Sequence, residues 1–104
     1  MTYIPAVKFL PVARIADYTA AVNDYVQADA TAGAFTVTLP ASPARGAYVA
    51  VWKTDATSNG VTVAPPTGGS VAGDTDGLTL ASRYAGAVVT HVGSNTWLTT
   101  AILT

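Results

Sequence analysis

Between Asp24 and Pro40 the chain reads DYVQADATAGAFTVTLP, and within it Phe35, Val37 and Leu39 alternate with Thr36 and Thr38. A period of two places three apolar side chains on one face of a strand and two hydroxyls on the other. Residues 25–29 predict a preceding strand, and Ala30-Thr31-Ala32-Gly33 a short turn between the two. Gly33 can supply the positive φ that a hairpin loop of three or four residues needs. Pro40 has no N–H to give to a ladder and marks the end of the second strand. The pattern predicts a hairpin that seeds a sheet.

Similar short segments recur. Residues 18–22 predict a strand that runs into a turn at Asn23-Asp24, and residues 41–46 a loop rich in Pro, Ser and Gly. Residues 47–53 are the most apolar strand, with Tyr48, Ala50 and Trp52 on one face and Val49 and Val51 on the other. Two apolar faces predict a central strand, covered by a second sheet or by a partner subunit. Asn59-Gly60 carries a type I′ turn signal. Further strands are predicted at 61–63, 70–72, 78–81, 87–92 and 96–103, with Gly93-Ser94-Asn95 turning the chain into the last. Strands spaced by about ten residues predict an all-β fold, a compact antiparallel β-sandwich or barrel-like domain of about seven to nine short strands. That domain spans residues 17–104. Residues 1–16, MTYIPAVKFLPVARIA, predict an extended N-terminal arm, because Pro5 and Pro11 forbid a continuous helix. Tyr3, Ile4, Val7, Phe9, Leu10 and Val12 make the arm apolar, so it is expected to lie on its own domain or on a neighbour.

Composition supports the all-β reading. The 104 residues contain no Glu, Lys only at 8 and 53, and Gln only at 27, and those three residues normally furnish exposed helix faces. Half the chain is apolar and 11% is charged, against about 25% charged in an ordinary soluble domain. So few charges favour burial against other chains in a homo-oligomer, the alternative being a compact sandwich coated with Thr and Ser. The net charge of −1 leaves no electrostatic footprint for nucleic acid or an acidic membrane. The N-terminus lacks an uninterrupted signal-peptide core, and no apolar run approaches the ~20 residues that cross a bilayer.

Reactive chemistry is sparse. Without cysteine there is no disulfide, thiolate nucleophile or thiolate metal site. His91 stands alone in an apolar strand and is expected to be a packed, hydrogen-bonded residue rather than a metal ligand. Gly73-Asp74-Thr75-Asp76-Gly77 opens like a calcium loop but lacks its remaining acidic ligands. Gly68-Gly69-Ser70-Val71-Ala72 lacks the last Gly and the strand–turn–helix setting of a nucleophile elbow. Asp17, Asp24 and Asp29 fall at turns, where Asp caps local backbone. Tyr18, Tyr25, Tyr48, Tyr84, Trp52 and Trp97 belong to the core or an interface, or else to a sugar-binding platform. No catalytic residue, cofactor site or metal site is predicted.

Several landmarks do resemble a known family. Tyr18-Thr19-Ala20, Asn23-Asp24-Tyr25-Val26, Asp29-Ala30-Thr31, Phe35-Thr36-Val37-Thr38-Leu39-Pro40, Val51-Trp52-Lys53-Thr54-Asp55, residues 59–63 and Trp97 together resemble a small β-structured module of tailed-bacteriophage virion proteins. The likeness covers about four-fifths of the chain and implies a trimerising domain on a capsid shell or at the end of a fibre or spike. The chain carries no shaft and no collagen-like repeat, and its length offers little reach. The expectation is therefore a non-enzymatic capsid decoration (cement) protein, a homo-oligomer (as a trimer) on the virion surface whose partner is the major capsid protein. Tyr3, Ile4, Val7, Phe9, Leu10, Val12 and Trp52 are its expected contact residues. The alternative is a tail-tip or short-fibre module that touches a host-surface glycan through Tyr and Trp.

Overall fold

A computed structural model describes residues 11–103, and they form ten strands and no helix. In chain order these are β1 (Pro11–Arg14), β2 (Tyr18–Thr19), β3 (Tyr25–Ala28), β4 (Phe35–Thr38), β5 (Tyr48–Lys53), β6 (Val61–Ala64), β7 (Ser70–Val71), β8 (Leu78–Leu80), β9 (Gly86–His91) and β10 (Thr96–Leu103). They build two sheets, one of six strands in the order β1-β3-β5-β9-β10-β7 and one of four in the order β2-β4-β6-β8. The all-β sandwich expected from the strand spacing is what forms. Its smallest dimension, 20 Å, matches two sheets packed about 10 Å apart with their side chains.

The connectivity differs from the expected hairpins. From β1 to β6 the chain alternates between the sheets, so odd-numbered strands join the larger sheet and even-numbered strands the smaller. Same-sheet neighbours here run parallel: β1 with β3, β3 with β5, β2 with β4, and β4 with β6. Thus β3 and β4 are not a hairpin but an arch, one strand above the other across the core. The alternation in β4 is satisfied equally well this way, since Phe35 and Val37 reach the core from the opposite layer. Gly33 still takes a positive φ of 150°, but its turn spans the two sheets. Asn59-Gly60 makes no type I′ turn, because neither residue has a positive φ, and β5 and β6 lie in different sheets. After β6 the pattern changes, with β8 antiparallel to β6 and β9 antiparallel to both β5 and β10. Only the β9–β10 turn at Gly93-Ser94-Asn95 is the tight hairpin its sequence advertises, all three residues having positive φ.

The core is made mostly of small β-branched side chains. Val26, Ala28, Val49, Val51, Ala87, Val89 and Trp97 from the larger sheet meet Phe35, Val37, Val61, Val63 and Leu80 from the smaller. Strand β5 is central, as its two apolar faces predicted, and the second sheet covers the Val49 and Val51 side. The opposite side of β5 carries Tyr48, Ala50 and Trp52. The indole of Trp52 lies on Gly86 of the adjacent β9, so closely that a Cβ at 86 would sit 1.7 Å from the ring. Here the absence of a side chain is what lets the ring lie flat on the sheet.

Part of the expected arm belongs to the sheet. Residues 11–14 form β1, and Asp29 N–H donates to the Arg14 carbonyl at 2.9 Å. Residues 1–10 lie outside the described residues.

Gly86→Ala should displace the Trp52 indole and cost about 1–3 kcal/mol, the usual range for overpacking. Denaturant unfolding measures the loss, and a red-shifted tryptophan emission in the folded variant reports the displaced ring. An unchanged midpoint contradicts the packing described.

Candidate functional site

His91 is 3% exposed. The Asn95 N–H donates to its Nε2 at 3.2 Å, and Nδ1 faces the Ala44 carbonyl at 3.3 Å. An N–H donor on Nε2 leaves the proton on Nδ1, so the ring is a neutral clamp between two loops. With both nitrogens occupied, His91 offers nothing to the neighbouring Trp97, whose fully buried Nε1 has no partner. Among the described residues no three His, Cys, Asp or Glu side chains gather as a metal site.

The aspartates serve the backbone. Asp17 accepts from the Thr36 N–H at 2.8 Å, and Asp24 from the Ala21 N–H at 2.8 Å and the Tyr18 hydroxyl at 2.6 Å. The Asp24 carboxylate accepting that hydroxyl proton raises the phenol of Tyr18 above its ordinary pKa. Asp29 accepts from both the N–H and the hydroxyl of Thr31, which lowers its pKa. In the loop resembling a calcium site, Asp74 accepts from the Asp76 N–H at 2.8 Å, closing an ordinary Asx turn. Ser70 is the first residue of β7 rather than the tip of an elbow. A cleft of about 470 Å³ opens beside Ile15, Asp17, Gly33 and Phe35, and its one ionisable group is the Asp17 carboxylate already engaged by Thr36.

One polar cluster went unread in the sequence. Lys53, 0% exposed, closes the inner face of β5 and donates to Asp55 Oδ2 at 2.7 Å, to the Asp55 carbonyl at 3.2 Å and to the Thr57 carbonyl at 2.7 Å. All three ammonium protons are used. Asp55 also accepts from the N–H groups of Ala30 (2.8 Å) and Thr57 (3.0 Å) and from the Thr57 hydroxyl. Asn59 completes the cluster by donating to the Ala30 carbonyl at 2.8 Å. Burial pushes the Asp55 carboxyl up, but the Lys53 ammonium and the Thr57 and Ala30 donors outweigh it and hold the pKa well below the usual carboxylate range. The sequence carries no alternation that marks this cluster, because Thr54 and Ser58 are polar as well. The cluster is fully satisfied from within, so it holds the fold and is not poised for a ligand.

The outer face of the larger sheet is a surface of a different kind. Strand register places Ala13, Tyr25, Gln27, Tyr48, Ala50, Trp52, Val88, Thr90 and Leu98 on it. None of these side chains is charged. Tyr25, Tyr48, Trp52 and Val88 are half-buried, while Leu98 is 47% exposed. The sequence-predicted aromatics divide accordingly. Tyr25, Tyr48 and Trp52 share this face, Trp97 is in the core, Tyr18 packs against the core from β2, and Tyr84 stands in a loop under the Arg83 guanidinium. Of the expected contact residues, Trp52 lies on the face. Val12 is half-buried beside Val26, on the inner side of β1. Tyr3, Ile4, Val7, Phe9 and Leu10 lie outside the described residues.

Asp55→Ala should cost about 3–5 kcal/mol, because it strands the buried Lys53 charge. Since the folded Asp55 pKa is depressed, its contribution is complete above about pH 4, the unfolded value, and drains away as pH falls further. Urea unfolding between pH 7 and pH 2 should show that loss in the parent and a shallower one in Lys53→Met/Asp55→Ala. Parallel pH profiles contradict the assignment.

The chain matches no protein-family model and no curated protein.

Proposed function

We propose that this protein is a structural component of a tailed-phage virion, a decoration protein that self-associates on the head and reinforces the shell by binding the major capsid protein. The observation that carries the reading is the outer face of the larger sheet, where half-buried Tyr25, Tyr48, Trp52 and Val88 surround the buried Ala50 as an uncharged face on a two-layer scaffold. Such faces on soluble domains serve contact with other proteins. The carboxylates of Asp17, Asp24, Asp29 and Asp55 and the ring of His91 are consumed in caps and clamps, which is how a packing module uses them. Burial of the face against a shell contributes roughly 25 cal/mol per Å² of apolar area, less the cost of association. The landmark resemblance points the same way.

A second reading keeps the same face. Tyr25, Tyr48 and Trp52 present aromatic rings to one side, as a glycan platform does, though Gln27 and Thr90 are its main polar side chains. A tail-tip module that grips a host glycan uses that arrangement.

Copy number separates the two. Quantitative mass spectrometry of purified particles should find this polypeptide in near-stoichiometric ratio to the major capsid protein. A few copies per particle moves it to the tail, and absence from particles overturns both readings. Tyr48→Lys should abolish binding to undecorated capsids and leave the circular dichroism spectrum unchanged. Deleting residues 2–10, which stops short of β1, tests the arm: unchanged capsid binding removes its proposed role.

A further inference from the structure

Strand β10 pairs with β9 along its whole length, whereas on its other side β7 meets only Thr96 and Trp97. Among the described residues, no strand pairs with 98–103 on that side. The Trp97 carbonyl accepts from the Ala72 N–H across that edge at 2.8 Å. Backbone groups of a strand alternate between its two sides, so Thr99 presents its N–H and C=O to the same, open side. Leu98, Ile102 and Leu103 are 47%, 55% and 55% exposed. Open strands are normally guarded by charge, proline or brevity. The other three edges are so guarded: β1 starts at Pro11 and ends at Arg14, β2 has two residues after Asp17, and β8 has three with Arg83 close behind. The β10 edge has no charge and no proline.

We infer that the β10 edge is a strand-pairing interface, and that its occupant is β10 of a second copy of this chain, antiparallel about a two-fold axis. The two six-stranded sheets then become one. The bulge between Thr99 and Ala101 favours this occupant. It shifts the alternation by one residue, so that Leu98 and Leu103 both lie on the outer face and Thr99 and Ile102 both on the inner face. In a two-fold pair centred between residues 100 and 101, Leu98 meets the partner's Leu103 and Thr99 meets the partner's Ile102. Like faces coincide, which an unbulged strand of this register would prevent. No charge opposes a like charge, as self-pairing requires. The edge and its exposed side chains bury ~500 Å² per copy, on the order of 1,000 Å² in all, which is the lower bound for a specific interface. The inference does not depend on the virion reading.

Sedimentation velocity of the full chain over a concentration series tests it. The expected species is a dimer. Thr99→Pro removes an open-edge N–H without touching the β9 ladder, and Ile102→Lys adds a guard at an exposed position. Each should raise the dimer Kd at least tenfold, with an unchanged circular dichroism spectrum confirming the fold. Deleting residues 2–10 should leave the dimer intact. A monomeric parent, a trimer (the number the phage resemblance implies), or a dimer insensitive to Ile102→Lys overturns the inference. So does loss of the dimer on deletion, which makes the N-terminal segment the occupant.

Discussion

The peptide of Ala30 is fully buried at the point where the chain leaves one sheet for the other, and its polar groups must be answered there. A hairpin would answer them within its own turn. Here Asp55 accepts from the Ala30 N–H and the Asn59 side-chain amide donates to the Ala30 carbonyl, both from the loop one winding later. The arches are therefore bonded to each other as well as within themselves, and Lys53 holds the arrangement by neutralising the carboxylate that links them. Parallel stacking of β1, β3 and β5 above β2, β4 and β6 follows from loops that bond upward.

This also explains what could be read in advance. The strands themselves were legible from the alternation of β4 and the apolar runs of β5 and β9, and the strand positions from residue 18 onward agree with the structure to within a few residues. Their partners were not legible. Phe35, Val37 and Leu39 require only an apolar surface opposite, and a second layer supplies one as well as a hairpin does. Asn59-Gly60 misled because type I′ chemistry is a local preference, and the neighbouring arch demanded Asn59 for a hydrogen bond elsewhere. Gly93-Ser94-Asn95 was legible because the bonds Asn95 makes to Ser42, Ser70 and His91 fit the tight turn. Lys53 escaped notice since a lone lysine at a strand end is usually solvated, and only the fold brings Asp55, Thr57 and the core around it.

The surface available for function was half visible. The apolar second face of β5 was evident from Tyr48, Ala50 and Trp52. That it extends over β3, β9 and β10 depends on strand order, which places Tyr25 beside Ala50 and Val88 beyond it. A uniform lack of charge on one face, with charges spent at arch ends and turns, is a division of labour that composition alone hides.

Strand β9 inserts between β5 and β10, although the chain makes β6, β7 and β8 before it. On the ribosome, the wound N-terminal portion thus emerges with the flank of β5 bare, and that flank is closed only when residues 86–91 arrive. A nascent chain in this condition offers an unpaired parallel stack to anything extended nearby. Its last hairpin acts as a latch, and the slowest event in acquiring the native state is expected to be that long-range closure rather than the winding before it.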